Sequence, residues 1–267
     1  MSSASFRSAL VQIAAPVAVT VVLLGIWQIG VQASGISKIV IPSPVQVGHA
    51  FVREAPGLWE ACQQTAKAAA LGLAGSLVFG VLSAFAFSQS RLIRSAFYPY
   101  AILLQTVPVI AIAPIVVVAI GRGFYGVVLI SMIISTFPII TSTTTGLLQV
   151  DASLLELFQL HKATRWQILW KLRLPNSLPY LISGLRIAGG AAIVGAIVGE
   201  FFVGSEVKGL GVLIENKNGG FRTDELYATV LVSTLLGISV FATTTVVGET
   251  ILKYGFGMSL TGTGRQR

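Results

Sequence analysis

Charge is scarce along this chain of 267 residues. Asp, Glu, Lys and Arg together account for 10% of the residues, hydrophobic residues account for 54%, and the mean hydropathy is +0.82. A soluble domain keeps roughly a quarter of its residues charged, because its surface faces water. The composition therefore excludes an ordinary soluble domain and indicates a protein that has the lipid bilayer as its solvent.

Cysteine and histidine are nearly absent as well. Cys62 is the single cysteine, and the two histidines, His49 and His161, lie far apart. These counts exclude an intrachain disulfide and a metal site with several cysteines, and Cys62 is interpreted as a packed small residue. Carboxylates are not clustered either. The sequence therefore gives no catalytic constellation for a membrane-embedded enzyme.

A basic block is also missing, although the formal net charge is +8 and the isoelectric point is about 9.9. The eighteen Lys and Arg residues are spread along the chain, without interleaved aromatic residues. This pattern gives no support to nucleic-acid binding. Basic cytoplasmic loops of a membrane protein account for the charge.

Long charge-free intervals are what the chain has instead. A helix needs about 20 apolar residues to cross a hydrocarbon core of about 30 Å. Five intervals without charge are long enough for this, and a sixth apolar stretch, residues 178–203, carries Arg186 near one end and Glu200 near the other. The sequence therefore predicts an all-α integral membrane protein with about six transmembrane helices. The five charge-free intervals are bounded by Arg7 and Lys38, Lys67 and Arg91, Arg94 and Arg122, Arg122 and Asp151, and Glu225 and Glu249.

The first interval has a second interpretation, a secretory signal peptide. Its apolar run at residues 10–31 is longer than a typical signal-peptide core, and five further spans follow it. We therefore interpret it as a transmembrane helix.

The distribution of Lys and Arg predicts the orientation. An even number of spans puts both termini on one side, and basic residues concentrate on the cytoplasmic side. With both termini in the cytoplasm, most of the eighteen basic residues are cytoplasmic, whereas the acidic residues fall mostly outside. The predicted cytoplasmic basic residues are Arg7, Arg91, Arg94, Lys162, Arg165, Lys171, Arg173, Arg186, Lys253, Arg265 and Arg267.

No repeat or linker interrupts the chain, so residues 1–267 are predicted to form a single transmembrane domain. The motif Ile41-Pro42-Ser43-Pro44 restricts the backbone and predicts a rigid external elbow before a short amphipathic helix, with an ordinary loop as the alternative.

Residues 204–224 are predicted to form an external loop with a tight turn at Gly209-Leu210-Gly211. That loop is a candidate cap over the outer mouth of a pathway.

Small residues and prolines mark the predicted spans. Ala191, Gly195 and Gly199 recur every four positions and favour close helix packing, either within one subunit or at a subunit interface. Pro108, Pro114 and Pro138 lie inside the third and fourth predicted spans and predict kinks there.

Residues 149–179 form the longest segment between spans that has a helical pattern of apolar residues. Asp151 is predicted to cap a first surface helix, and Pro175 and Pro179 are predicted to end a second one and turn the chain into the fifth span. A short amphipathic helix displayed there is either a membrane-surface element or a docking site for a partner.

Residues 156–175 resemble the cytoplasmic loop of the permeases of bacterial ATP-binding cassette importers. That loop has the pattern Glu-Ala-Ala, three residues, Gly, nine residues, then Ile-x-Leu-Pro. Glu156 takes the first position, Lys162 takes the glycine position, and Leu172-Arg173-Leu174-Pro175 takes the ending, with both spacings preserved. Leu157 and Phe158 stand in place of the two alanines, and Lys162 stands in place of the glycine that separates two short helices.

The resemblance continues through Gln105-Thr106-Val107-Pro108, Gly184-Leu185-Arg186 and Gly199-Glu200. These motifs are similar to those of the importer branch for nitrate, sulfonates, taurine, bicarbonate and pyrimidine or flavin vitamin precursors. The resemblance implies a homodimer of permeases in the bacterial inner membrane, two ATPase subunits that carry ATP and Mg²⁺, and an extracytoplasmic binding protein. This chain is expected to bind no cofactor and no metal and to catalyse nothing, and it lacks the Gly-x-x-x-x-Gly-Lys-Ser/Thr phosphate loop.

The resemblance assigns two sets of candidate residues. The ATPase-coupling loop comprises Glu156, Lys162, Arg165, Leu172, Leu174 and Pro175. The translocation-pathway candidates are Gln105, Thr106, Pro108, Arg186 and Glu200. Each pathway candidate has a structural alternative: hydrogen bonding between helices for Gln105 and Thr106, a merely structural kink for Pro108, snorkelling for Arg186, and an interfacial position for Glu200.

One other interpretation of the function remains open. An ATP-independent secondary transporter would need coupling-ion ligands inside the bilayer, and the sequence has neither these nor an inverted repeat. Within the importer class, the motifs at residues 197–202 and 209–211 most resemble those of the permeases for vitamin precursors.

Overall fold

The computed structural model describes residues 3–35, 37, 40–204 and 208–257, and within these the chain is helical and has no strand. Within the same residues, two π-helical turns adjoin the α-helices, at Leu169–Arg173 and at Ile251–Gly255. The α-helices are α1 (Ser3–Ala33), α2 (Pro44–Arg53), α3 (Ala55–Gln89), α4 (Arg91–Thr106), α5 (Val109–Ile120), α6 (Phe124–Leu148), α7 (Ala152–Leu160), α8 (Arg165–Ile168), α9 (Leu174–Val203), α10 (Leu210–Gly219) and α11 (Thr223–Thr250).

Among the described residues, five helical stretches are long and apolar enough to cross a membrane: Ala14–Ala33, Ala55–Gln89, Phe124–Leu148, Arg165–Val203 and Thr223–Gly255. The third predicted span differs, because it consists of α4 and α5 in succession. Val107 has extended backbone angles (φ −70°, ψ 124°), as a residue before proline prefers, and Pro108 has no N–H with which to continue α4. The all-helical membrane fold is thus confirmed, with one interval divided into two shorter helices.

The chain divides into two compact units. The first comprises Met1–Trp59 and Leu213–Val232, and the second comprises Glu60–Val212 and Ser233–Arg267. In the first unit, Val47 and Ala50 of α2 pack with Leu58 and with Ala228 of α11. The short helix predicted after the Ile41-Pro42-Ser43-Pro44 motif is confirmed as α2, which Ser43 caps through a reciprocal pair of hydrogen bonds with Gln46. The rigid external elbow itself stays a prediction.

In the second unit, α6 and α9 are in close contact along their length. A Cβ atom on Gly195 would lie 2.8 Å from the Cα atom of Ser131, and one on Gly199 would lie 3.1 Å from the Cα atom of Val127. The Ser131 hydroxyl donates to the carbonyl of Ala192 at 2.9 Å. For Gly195 and Gly199 the structure therefore shows packing within one subunit.

Two predicted boundaries are wrong. The predicted external loop contains a ten-residue helix, α10. Pro175 and Pro179 do not separate a surface helix from the fifth span, since Pro175 lies in the first turn of α9 and Pro179 lies inside it. A proline lacks a backbone donor, and the π-helical turn before α9 changes the hydrogen-bond register there without ending the helix.

Candidate coupling loop and buried carboxylate

The loop predicted to couple to an ATPase lies between α6 and α9 and begins with α7. Asp151 precedes this helix, and its carboxylate accepts a hydrogen bond from the backbone N–H of Ser153 at 2.8 Å. Hydrogen bonding by Ser153, first through its side chain and then through its backbone N–H, holds the pKa of Asp151 below its ordinary value. Glu156, the first residue of the resemblance, lies exposed in the middle of α7.

The turn after α7 has Lys162 at its centre. Lys162 has φ of +53°, the left-handed conformation that glycine adopts without a side-chain clash. Its backbone N–H donates to the carbonyl of Gln159 at 2.9 Å, and the N–H of Ala163 donates to the carbonyl of Phe158 at 3.0 Å. These two bonds form a Schellman motif, the usual helix ending with glycine at this position. A lysine thus occupies the glycine position with the glycine backbone geometry.

The second part of the loop is a single α-helical turn, α8, that begins at Arg165. Thr164 caps it by accepting from the N–H of Gln167 at 3.3 Å, and the Gln167 side chain accepts from the N–H of Thr164 at 2.8 Å. Leu172 lies in the π-helical turn that follows. Leu174 and Pro175 are the first two residues of α9.

The loop exposes large apolar side chains. Leu160 is 80% exposed, Trp166 is 67% exposed and Trp170 is 60% exposed. Each is presented by a different element, namely α7, α8 and the π-helical turn. An apolar surface on a helical projection is suited to burial in a groove of another protein.

Glu200 near the end of α9 is buried, with 1% of its surface exposed. One carboxylate oxygen accepts from the Thr65 hydroxyl of α3 at 2.7 Å, and the other accepts from the backbone N–H of Gly211 at 2.7 Å. The Thr65 hydroxyl also accepts from the backbone N–H of Leu210 at 2.9 Å. Glu200 therefore fastens the first turn of α10 to α9 and α3.

Two glycines make this arrangement possible. A Cβ atom on Gly209 would overlap the carboxylate of Glu200, and one on Gly211 would overlap the carbonyl oxygen of Ile197. The glycines of the predicted turn motif therefore allow the backbone to approach the buried carboxylate of Glu200 closely. The role of Thr65 was missed by sequence reasoning, although a hydroxyl two residues before Lys67 at the edge of an apolar interval is a weak signal for it.

The other pathway candidates are not brought together with Glu200. Gln105 and Thr106 end α4 and are exposed, as is Pro108 at the break before α5. The guanidinium carbon of Arg186 lies 4.9 Å from the centre of the Phe241 ring. Within the described part of the chain, the five candidates share no hydrogen bond or ion pair with one another. Their pathway role stays a prediction.

Comparison with known proteins gives one family. The profile of the family described as "Binding-protein-dependent transport system inner membrane component" matches residues 76–254. The chain is 33% identical over 226 residues to a probable ABC transporter permease protein of Haemophilus influenzae, a match that covers 85% of this chain and 91% of that protein.

Two further relatives have names that state a substrate. The chain is 33% identical to a formylaminopyrimidine transport permease protein of Halalkalibacterium halodurans, with 82% of this chain and 87% of that protein covered. It is 30% identical to a riboflavin transport system permease protein of Chloroflexus aurantiacus, with 82% of each chain covered.

A solved structure shares the fold. A chain of the MetNI methionine ABC transporter, in an inward-facing conformation, superposes with a TM-score of 0.58 at 18% sequence identity. The match covers 74% of this chain and 95% of that chain.

Proposed function

The chain belongs to the family of binding-protein-dependent transport system inner membrane components, and we propose that its loop of α7, α8 and the π-helical turn is the surface on which an ATPase subunit acts. The chain is a permease component of an ATP-binding cassette importer for a small solute. Its ATP is hydrolysed, in this proposal, by separate subunits that bind ATP and Mg²⁺.

The exposure of Leu160, Trp166 and Trp170 supports docking at this loop. Burying three such side chains in a groove of the ATPase favours association by the hydrophobic effect. Closure of the ATPase dimer around ATP then moves the loop as a rigid body. The movement needs ATP to bind one global state of the transporter more tightly than the other.

Co-purification tests this docking surface. Leu160→Glu places a charge in the apolar surface, and we expect it to abolish recovery of the ATPase subunit with the tagged permease from mild detergent. Phe221→Glu is the matched control, since Phe221 is 77% exposed and lies on the α10–α11 connection, far from the loop in sequence. Equal ATPase recovery with both variants would contradict docking at this loop.

The assembly and orientation are proposed as follows. Two copies of the permease form one pathway, both termini face the cytoplasm of the bacterial cell, and an extracytoplasmic binding protein delivers the solute. The excess of Lys and Arg in the connections assigned to the cytoplasm supports this orientation. Exposed apolar side chains along α1, α3 and α11 support contact with lipid or with a second copy.

We further propose a pyrimidine-type or flavin-type vitamin precursor as the solute. The permeases named for formylaminopyrimidine and riboflavin are 33% and 30% identical to this chain, whereas those named for sulfonates, taurine and nitrate are 28%, 25% and 25% identical. Uptake of labelled pyrimidine, flavin, taurine and nitrate by cells that express the whole importer tests this ranking. Saturable uptake of an anion, with none of the heterocycles, would overturn it.

A further inference from the structure

A cavity of about 550 Å³ lies between the connection from α3 to α4 and the coupling loop. Four arginines line it, Arg91 and Arg94 from α4, Arg165 from α8 and Arg173 from the π-helical turn. All four belong to the second unit. The cavity thus gathers four guanidinium groups from three separate elements.

No carboxylate of the described residues balances this charge inside the cavity. Its lining contains neither Asp nor Glu, and none of the four arginines forms an ion pair within the described ranges. One nitrogen of Arg173 donates to the carbonyl of Ser88 at 2.9 Å, but its Nε atom is buried without an acceptor. Because a guanidinium group cannot lose its proton in a protein, the cavity as it stands favours an anion.

The donors suit a phosphate group in particular. A guanidinium group presents paired N–H donors that match two oxygens of a phosphate. Helix α4 begins beside the cavity, where Ser90 accepts from the N–H of Ile93, and the positive end of the helix dipole adds to the field of the arginines.

A second cavity, of about 400 Å³, adjoins the first, since Arg94 and Leu148 line both. It runs along α4 and α6 and is lined by Tyr98, Pro99 and Thr144, among others. The Thr144 hydroxyl is buried and has no partner among the described residues. A mostly apolar groove with a free hydroxyl, next to a basic cavity, fits the glycerol ester and acyl chain of a phospholipid better than it fits free phosphate.

We propose that the arginine cavity binds a phosphate group, and that the headgroup of an anionic phospholipid is its source. The bound headgroup links α4 to Arg165 in the coupling loop, so the lipid composition of the membrane tunes how firmly the loop is held. In the orientation proposed above, the bound phospholipid belongs to the cytoplasmic leaflet. Binding itself does not depend on that orientation or on the ATPase.

Native mass spectrometry of the purified chain in detergent tests the site. Phosphatidylglycerol, phosphatidylcholine with the same acyl chains, and inorganic phosphate are titrated separately and in competition. We expect phosphatidylglycerol to bind preferentially, and the Arg91→Gln, Arg94→Gln double variant to bind it about tenfold more weakly. Arg94→Lys, which keeps the charge but loses the paired donors, is expected to fall between them.

The matched control is Arg122→Gln, which removes an exposed arginine on the α5–α6 connection. It should bind phosphatidylglycerol as the wild-type chain does, and size-exclusion chromatography checks that every variant is folded. Competition by inorganic phosphate confirms phosphate recognition, whereas binding of inorganic phosphate without phosphatidylglycerol overturns the lipid source. The proposed site would be wrong if phosphatidylglycerol and phosphatidylcholine bound equally well. It would also be wrong if Arg122→Gln weakened phosphatidylglycerol binding as much as the double variant does.

Pairing of the arginines with acidic residues of the ATPase is the remaining alternative. It predicts that the double variant loses the ATPase subunit on co-purification but binds phosphatidylglycerol unchanged. That combination would overturn the proposal and leaves the coupling function of the loop intact.

Discussion

Lys162 holds a backbone conformation that a side chain makes costly. The left-handed region costs an ordinary L-residue about 1 kcal/mol or more, because its Cβ atom approaches the following carbonyl oxygen. The Schellman bonds on either side of Lys162 keep this conformation in place. The glycine position of the family pattern is therefore retained as a backbone geometry, although the glycine itself is absent.

Lys162→Gly should relieve this strain, whereas the same change at Lys171, which lies in the π-helical turn, removes a side chain from a helical position. Glycine costs about 1 kcal/mol in a helix, so we expect the two variants to differ in local stability by about 2 kcal/mol. Hydrogen–deuterium exchange of the amides at 157–173 measures this. Equal acceleration of exchange in both variants would contradict a strained Lys162.

Glu200 is a second single residue with a structural role, because its two hydrogen bonds anchor the first turn of α10. Glu200→Ala leaves the buried N–H of Gly211 without an acceptor, which costs about 1–3 kcal/mol. Glu200→Gln keeps a carbonyl oxygen for that N–H and should cost less. Thermal denaturation in detergent compares them with Glu249→Ala, a change at an exposed carboxylate of α11. If Glu200→Ala were no more destabilising than Glu249→Ala, the anchoring role would be wrong.

At the scale of elements, the contact between α6 and α9 depends on small residues. Gly195→Ala would push a methyl group against the backbone of Ser131 and should destabilise the pair by about 1–3 kcal/mol. Gly190→Ala, on the same helix, meets open space and should be neutral or stabilising. Denaturation midpoints of the two variants measure the difference. Similar midpoints would show that α6 and α9 separate without cost.

In the first unit a charge cluster joins three helices. Lys217 of α10 donates to Glu54 at the end of α2 at 3.0 Å and also to Glu225 of α11. Burial alone would lower the pKa of Lys217, but donation to these two carboxylates outweighs it and holds the pKa above the ordinary 10.5. The side chain is therefore more readily charged in the folded chain than in the unfolded one.

A raised pKa on a lysine stabilises the fold fully below pH 10.5, and the contribution is lost as the pH rises through the folded-state value. We expect the wild-type chain to lose stability as the pH rises above about 10.5, and Lys217→Met to lose less over the same range. Lys253→Met, at an exposed lysine after α11, is the control. Identical pH profiles for wild type and Lys217→Met would exclude this linkage.

The elements differ in how far the sequence predicts them. Charge-free intervals identify the membrane-length helices because the cost of burying charge in lipid dominates there. The predicted start of α2 is confirmed, since a proline and a capping residue act locally. Such local sequence signals do not predict α10 or the continuity of α8 with α9. They depend on contacts distant in sequence, such as that of Gly211 with Glu200, and on a register change that has no residue signature.

At the scale of the whole molecule, one helical stretch, Arg165–Val203, connects the coupling loop with the Glu200 anchor. Its 39 residues correspond to about 58 Å at the rise of an α-helix. The coupling loop and the first turn of α10 therefore lie at opposite ends of a single element, with no loop between them.

Spin labels test whether this stretch stays rigid during the ATP cycle. In a Cys62→Ser background, labels at Lys171→Cys and Val194→Cys lie 23 residues apart, about 35 Å along a helix. With the labelled permease diluted by unlabelled permease, so that labels sit on one copy of the proposed dimer, we expect one narrow distance distribution from double electron–electron resonance, unchanged when ATP binds the assembled transporter. Two populations, or a shift of more than about 5 Å, would show that the helix bends between the labels.

The continuity of this helix has a genetic consequence. A substitution that misplaces the coupling loop and one that misplaces the Glu200 anchor displace the same body, so their effects on transport should not be additive. Second-site suppressors of a loop defect are then expected at the distant end of the helix, near Thr65 and Gly209, as well as in the ATPase. Selection acting on one side of the membrane would in this way constrain the residues on the other.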